Sequence, residues 1–185
     1  MTSTNTAVVA LLSLVLCGCA DTTSMAPLQD PQGRVVTAAD AIYVLVSPNG
    51  THGPTDYPKS GQMTSRQLQS ALLRHVRTVV IGGPSDNFNK GLADAIDGGF
   101  TVLIVPTILH WEDRATEWSV RSDKLEVQLE VIDVSSGKRI AKTSIKGRSG
   151  LATFGGDHPQ DLLPEPINDF VDQLFSGPGP AVADE

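Results

Sequence analysis

Apolar residues along this chain follow two periods, one typical of strands and one typical of helices. Three mainly apolar runs have the length of buried strands, and the two segments between them repeat apolar residues at helical spacing. The runs are residues 41–47, 78–82 and 100–109, and the helical segments are residues 64–76 and 87–97. Thr64 and Gln67 have the spacing of a capping box, which predicts that the first helix begins there. Because each helix connects two strands, these strands are predicted to pair in parallel.

In the second half of the chain, apolar and polar residues alternate strictly over residues 125–131. This alternation predicts a half-exposed strand, and Gly137 marks a hairpin turn after it. Residues 138–149 are predicted to return as an edge strand, because their lysines and arginines discourage pairing with another sheet. An apolar stripe over residues 167–175 predicts a last helix.

The resulting order of elements, β-α-β-α-β-β-β-α, predicts an α/β (α+β) fold. Its mixed sheet has about five strands, with the helices packed on it. The length of 185 residues and the hydrophobic share of 40% are sufficient for one packed core. We therefore predict a single domain over residues 40–175, followed by a disordered tail at residues 176–185.

The N-terminal segment contains a short apolar run at residues 7–16. Spanning a bilayer takes about 20 such residues, so this run is too short for that and has the length of a signal-peptide core. The next residues, Leu16-Cys17-Gly18-Cys19, resemble the lipobox of bacterial lipoproteins. We predict that residues 1–18 are a signal peptide, that Cys19 is lipidated (palmitate among its acyl chains), and that residues 19–39 form a flexible tether. One departure from the usual pattern is that residues 1–6 contain no lysine or arginine.

Cleavage at this site leaves Cys19 as the only cysteine, since both cysteines of the chain lie in this segment. A domain without free thiols has no disulfide, zinc–thiolate site or cysteine nucleophile. Ala20, rather than aspartate, follows the lipidated cysteine. By analogy with known sorting signals, this predicts an outer-membrane lipoprotein that faces the periplasm.

The overall charge excludes several classes of partner. The net charge is -7 and the isoelectric point is near 5.0. Binding to nucleic acid needs a basic face that replaces phosphate counterions, so no nucleic-acid partner is expected. Electrostatic docking on anionic lipid is disfavoured for the same reason, and the predicted contact with the membrane is the acyl anchor alone.

Two polar clusters are candidates for a functional site. Residues 108–118, ILHWEDRATEW, contain both tryptophans, and residues 155–161, GGDHPQD, form the second cluster. If the fold brings the clusters together, a divalent metal has four candidate ligands: His110, Glu112, Asp157 and His158. The candidates for contacts with a protein partner are Trp111, Glu112, Asp113, Arg114, Trp118, Asp157 and His158. Neither cluster has a specific metal motif such as HExxH, and ion pairs at a strand end need no function.

The blocks at residues 106–119 and 152–166, together with the lipobox, resemble an uncharacterised family of bacterial lipoproteins, the domain of unknown function numbered 4823. The resemblance covers about residues 41–175. It implies a lipid-anchored periplasmic domain and assigns no catalytic residue. The order of elements is also similar to small domains of outer-membrane assembly lipoproteins, which generally act by contacting other proteins.

Three functions remain open from the sequence. The first is a non-enzymatic envelope lipoprotein that binds a protein partner and needs no cofactor. The second is a metal-binding protein or metal-dependent hydrolase, which requires His110 and His158 to converge. The third is a carrier of a small envelope molecule, which requires a concave apolar pocket.

Overall fold

A computed structural model describes residues 21–29, 35–84, 86–114, 122–150 and 158–176. The strands are β1 (Thr22–Met25), β2 (Ala41–Val44), β3 (Thr51–His52), β4 (Thr55–Asp56), β5 (Thr78–Ile81), β6 (Val102–Glu112), β7 (Lys124–Asp133) and β8 (Lys138–Arg148). The α-helices are α1 (Ser60–Leu72), α2 (Phe88–Asp97) and α3 (Pro164–Ser176), and a 3-10 turn spans Pro159–Leu162. No helix within these ranges is long and apolar enough to cross a bilayer.

The main sheet has six strands in the order β1-β8-β7-β6-β2-β5, and β3 and β4 form a separate hairpin. Strand β2 lies parallel to both β5 and β6, because helical crossovers connect these strands. Strands β6, β7, β8 and β1 are antiparallel neighbours. The predicted α/β (α+β) class and the mixed sheet with packed helices are therefore confirmed.

Helices cover both faces of the parallel part of the sheet. On one face, α1 and α3 bury the larger core, which includes Ile42, Leu68 and Phe170. On the other face, α2 packs Ala95 against Tyr43 and Leu103. The successive β6 residues Val102, Leu103 and Ile104 are all 0% exposed, as predicted for a strand covered on both faces.

The predicted edge strand is instead an inner strand along part of its length. Residues of β1 pair with β8 from Thr22↔Arg148 to Met25↔Ile145. The sequence predicts a flexible tether here, because residues 22–25 (TTSM) have no strong strand signal. Pairing with the exposed edge of β8 supplies the hydrogen bonds that order this segment, and its strand therefore begins at Thr22.

The prediction that α1 begins at a capping box was wrong, since the helix starts one turn earlier. Thr64 Oγ1 donates a hydrogen bond of 3.0 Å to the Ser60 carbonyl, which is an interaction inside the helix. The residue before the helix, Lys59, has a left-handed conformation with φ of 74°. The last helix also begins earlier than predicted, at Pro164, because prolines fit within a first helical turn.

Candidate functional site

Three ionisable side chains converge where β6 ends. His52 Nε2 lies 3.0 Å from Glu112 Oε1, and His110 Nε2 lies 3.4 Å from Glu112 Oε2. The two imidazole rings pack edge to face, with centroids 5.2 Å apart. One ligand atom from each of the three residues lies within 4.8 Å of the other two. We call this group the His–His–Glu cluster.

The β3–β4 hairpin brings His52 to β6 through contacts made by Gly50. A Cβ at Gly50 would overlap Trp111, so only glycine allows the hairpin to lie this close to the strand. The Gly50 N–H donates to Ser60 Oγ at 2.8 Å, and the Tyr57 N–H donates to the Gly50 carbonyl at 3.0 Å. These contacts fix the hairpin against β6 and the start of α1.

Glu112 is the buried centre of the cluster, with 3% of its surface exposed. The Arg114 guanidinium contacts the same oxygen as His52. Burial raises the pKa of Glu112, but contacts with Arg114 and His110 and the charge of Arg114 outweigh this effect. The pKa of Glu112 consequently lies below its ordinary value, and the side chain is ionised at neutral pH.

His158 lies beside this end of β6 but contacts a different acid. Its Nδ1 is 3.3 Å from Asp113 Oδ1, and the Tyr57 hydroxyl donates to the Asp113 carbonyl at 3.4 Å. Within the described ranges, the group of potential metal ligands around Glu112 does not include His158. The two polar clusters predicted from the sequence do meet at one end of the sheet, but His110 and His158 pair with different carboxylates.

The candidate partner-binding residues fall into three groups. Trp111 is 2% exposed and packs in the main core, and Glu112 is buried, so neither offers the exposed surface that contact with a partner requires. Asp113, Arg114 and His158 are partly exposed. Trp118 and Asp157 lie outside the described residues, as does Cys19. Trp111 is buried because its side chain packs in the main core, with Gly50 lying against it.

The sequence reasoning did not identify His52 as a site residue. It lies in a segment rich in glycine and proline between the first apolar run and the first helical segment, and this segment contains no recognisable motif. No motif connects His52 to residues 58 and 60 positions later, because the connection is made by packing. The turn signals in this segment were the only available indication of a hairpin.

One row of paired residues connects this strand end with the N-terminal strand. Glu112 pairs with Lys124, Lys124 pairs with Arg148, and Arg148 pairs with Thr22. Three spacings between neighbouring strands correspond to about 14 Å. The His–His–Glu cluster therefore lies at the end of the sheet where β1 begins.

A concave site at the opposite end of β6 has a volume of about 400 Å³. It is lined by Ile96, Phe100, Thr101, Asp133, Val134 and Ser135. Three of these lining residues are apolar and three are polar.

A sequence profile for a domain of unknown function (DUF4823) matches residues 34–174. The chain belongs to the DUF4823 family. The family resemblance drawn from residues 106–119 and 152–166 is thus confirmed. No curated protein sequence matches this DUF4823 chain.

Solved structures with the same fold include the PelC dodecamer from Paraburkholderia phytofirmans. The DUF4823 chain is 15% identical to it, with a TM-score of 0.60 over 80% of this chain and 95% of that chain. A PelC variant from the same organism gives 15% identity and a TM-score of 0.61, over 80% and 96% of the two chains. Lipoprotein GNA1162 from Neisseria meningitidis is 11% identical, with a TM-score of 0.45 over 74% and 99%. At these identities the likeness to PelC establishes the fold.

Proposed function

We propose that this chain is an outer-membrane lipoprotein, acylated on Cys19, whose domain binds other envelope proteins without catalysing a reaction. The lipobox-like residues and the membership of DUF4823 support the anchor. The observation that carries the proposal is the position of β1, which begins at Thr22, three residues after Cys19. The folded domain therefore starts almost at the anchor.

The short connection limits how far the domain extends from the membrane. Three residues span at most about 11 Å when fully extended. A flexible segment of nineteen residues, as predicted from the sequence, has a typical reach of about 25 Å. The domain is accordingly held close to the lipid surface, with the Thr22 end of the sheet toward the membrane.

The partly exposed polar residues at this end are the proposed contacts for a protein partner. Arg114 is of a residue type enriched at interface hot spots, and Asp113 and His158 lie beside it. Leu109 of β6, whose exposed fraction is 53%, adds apolar surface. PelC shares this fold and forms a dodecamer, which supports a domain that functions through protein–protein contacts.

Mass spectrometry of the protein purified from bacterial membranes tests the anchor. We expect a polypeptide that begins at Cys19 and carries acyl chains, and we expect Cys19→Ser to abolish both processing and membrane association. Cys17→Ser is the matched control, and it should leave the modified N-terminus unchanged. An unprocessed leader, or an unmodified Cys19 in the mature protein, would contradict the proposal.

Photo-crosslinking in intact cells tests the partner surface. A photoreactive amino acid is placed at position 113 or 158, and separately at Asp97, an exposed residue at the end of α2. We expect discrete adducts with envelope proteins, or with a second copy of the chain, from the first two positions and not from the control. Equal labelling at all three positions, or no adduct at 113 and 158, would refute this surface.

A further inference from the structure

The His–His–Glu cluster has the composition of a divalent-metal site. Two imidazole nitrogens and a carboxylate form a ligand set typical of zinc sites that keep one coordination position open. The other two histidines of the chain form simple pairs, His75 with Asp172 at 2.9 Å and His158 with Asp113 at 3.3 Å. Only at Glu112, within the described ranges, do two histidines meet one acid.

The distances between ligand atoms fit a single bound ion. With ligand bonds of about 2.0–2.1 Å, neighbouring ligand atoms in a tetrahedral zinc site lie roughly 3.3 Å apart. The contacts from Glu112 to His52 and to His110 measure 3.0 and 3.4 Å. His52 Nε2 faces Oε1 of the carboxylate and His110 Nε2 faces Oε2, and one ligand atom from each residue lies within 4.8 Å of the other two, so a single ion can reach all three side chains.

The site is anchored on one side and open on the other. Glu112 is buried, whereas the side chains of His52 and His110 are 44% and 36% exposed. An ion can therefore enter from solvent and keep a water molecule as a further ligand. His110 and Glu112 are two residues apart on a β-strand, and the close approach of Gly50 to Trp111 holds the backbone next to His52 against this strand, so metal binding needs only side-chain movement.

Arg114 competes with a metal for Glu112. Its guanidinium contacts Oε1, which lowers the affinity of the carboxylate for a second cation. The other oxygen, Oε2, faces His110. The carboxylate can thus bind a metal through Oε2 while Arg114 holds Oε1, and the His52 ring, which now contacts Oε1, then turns toward Oε2.

We propose that His52, His110 and Glu112 bind one zinc ion or a similar divalent transition metal. This site differs from the set predicted from the sequence, because His52 takes the place of His158 and Asp157. The inference does not depend on acylation of Cys19 or on a protein partner. Its failure would therefore leave the proposed function untouched.

Isothermal titration of the full chain with Zn²⁺ tests the site. The protein carries no oligohistidine tag, and Cys17 and Cys19 are both replaced by serine so that no thiol contributes. We expect one zinc ion per chain, and we expect His52→Ala, His110→Ala and Glu112→Gln each to weaken binding at least about tenfold, since even outer-shell changes cost 10–100-fold. The matched control is His75→Ala, which removes a histidine that pairs with Asp172 outside the His–His–Glu cluster. This variant should bind zinc like the parent chain.

Two further measurements make the result decisive. Co²⁺ in place of zinc should give visible absorption bands typical of four or five ligands, and His52→Ala should remove them. Circular dichroism checks that each variant folds. If His110→Ala fails to fold, His52→Ala alone tests the metal site, because the His52 side chain is the more exposed of the two. The proposal is overturned if His52→Ala binds zinc as tightly as the parent chain, or if His75→Ala weakens binding equally.

Discussion

Replacing Trp111 with alanine tests whether the end of β6 is a core element or an exposed binding surface. The indole is 2% exposed and packs with the residues of the main core. Burial of a side chain of this size removes about 150–250 Å² from water, which at about 25 cal/mol per Å² corresponds to roughly 4–6 kcal/mol as an upper limit. Measured losses for aromatic-to-alanine changes in cores are about 3–5 kcal/mol.

We therefore expect Trp111→Ala to lower the free energy of unfolding by about 3–5 kcal/mol. This is a large share of the roughly 5–15 kcal/mol that stabilises a typical domain. Urea denaturation followed by far-UV circular dichroism measures the change. Trp111→Phe is the matched control, and it should cost less because it keeps most of the apolar volume.

An exposed tryptophan would give a different result. Surface substitutions usually change the free energy of unfolding by no more than about 0.5 kcal/mol. A loss below about 1 kcal/mol for Trp111→Ala, with an unchanged dependence on urea concentration, would show that the indole is not packed in the core.

Substitutions at three other positions test the start of α1 and the lowered pKa of Asp86, each by urea denaturation. Gly61→Ala should cost at least about 2 kcal/mol, because its Cβ would overlap the Ser47 carbonyl, which is backbone. Lys59→Gly should stabilise the fold by up to about 1 kcal/mol, whereas Lys59→Val should destabilise it, because φ there is 74°; equal effects would contradict this conformation. The Gly83 N–H lowers the pKa of Asp86 below 3.8 against the opposing effect of burial. Asp86→Asn should therefore lower the urea midpoint at pH 7, and the difference from wild type should shrink as the pH falls below 3.8 through the folded-state pKa; a difference independent of pH would contradict the shift.

Several elements follow directly from local sequence patterns. The uninterrupted apolar residues of β6 indicated a strand covered on both faces, and the alternation in β7 indicated a strand with one buried face. Gly137 was predicted to mark a hairpin turn, and its φ of +65° is the left-handed conformation that such turns use. These predictions succeeded because periodicity and positive φ depend on neighbouring residues alone.

Other features depended on contacts between distant segments. Residues 22–25 have no strong strand signal, and they form β1 only because β8 offers an unpaired edge. The start of α1 also depends on a contact between distant segments. Gly61, in the first turn of α1, packs against the Ser47 carbonyl, and the capping-box spacing does not mark this start. Local propensity is weak compared with such tertiary contacts.

The candidate site also depends partly on a local sequence pattern and partly on contacts between distant segments. The polar sequence near residue 110 correctly identified His110 and Glu112 as neighbours on one strand, since residues two apart share a face. The β3–β4 hairpin decided which third residue joins them. Gly50 lies against Trp111, and this close approach brings the neighbouring His52 to Glu112. Packing in the main core likewise removed Trp111 from the candidate contacts for a partner.

The sequence by itself determined the fold class, the family and the strand that carries the site, because periodicity and motifs are properties of short segments. The tertiary structure decided which side chains meet at Glu112, how close the sheet begins to Cys19, and whether Trp111 is exposed. Those outcomes depend on packing between segments that are far apart in the chain, and a pattern of local residues contains no information about such distances.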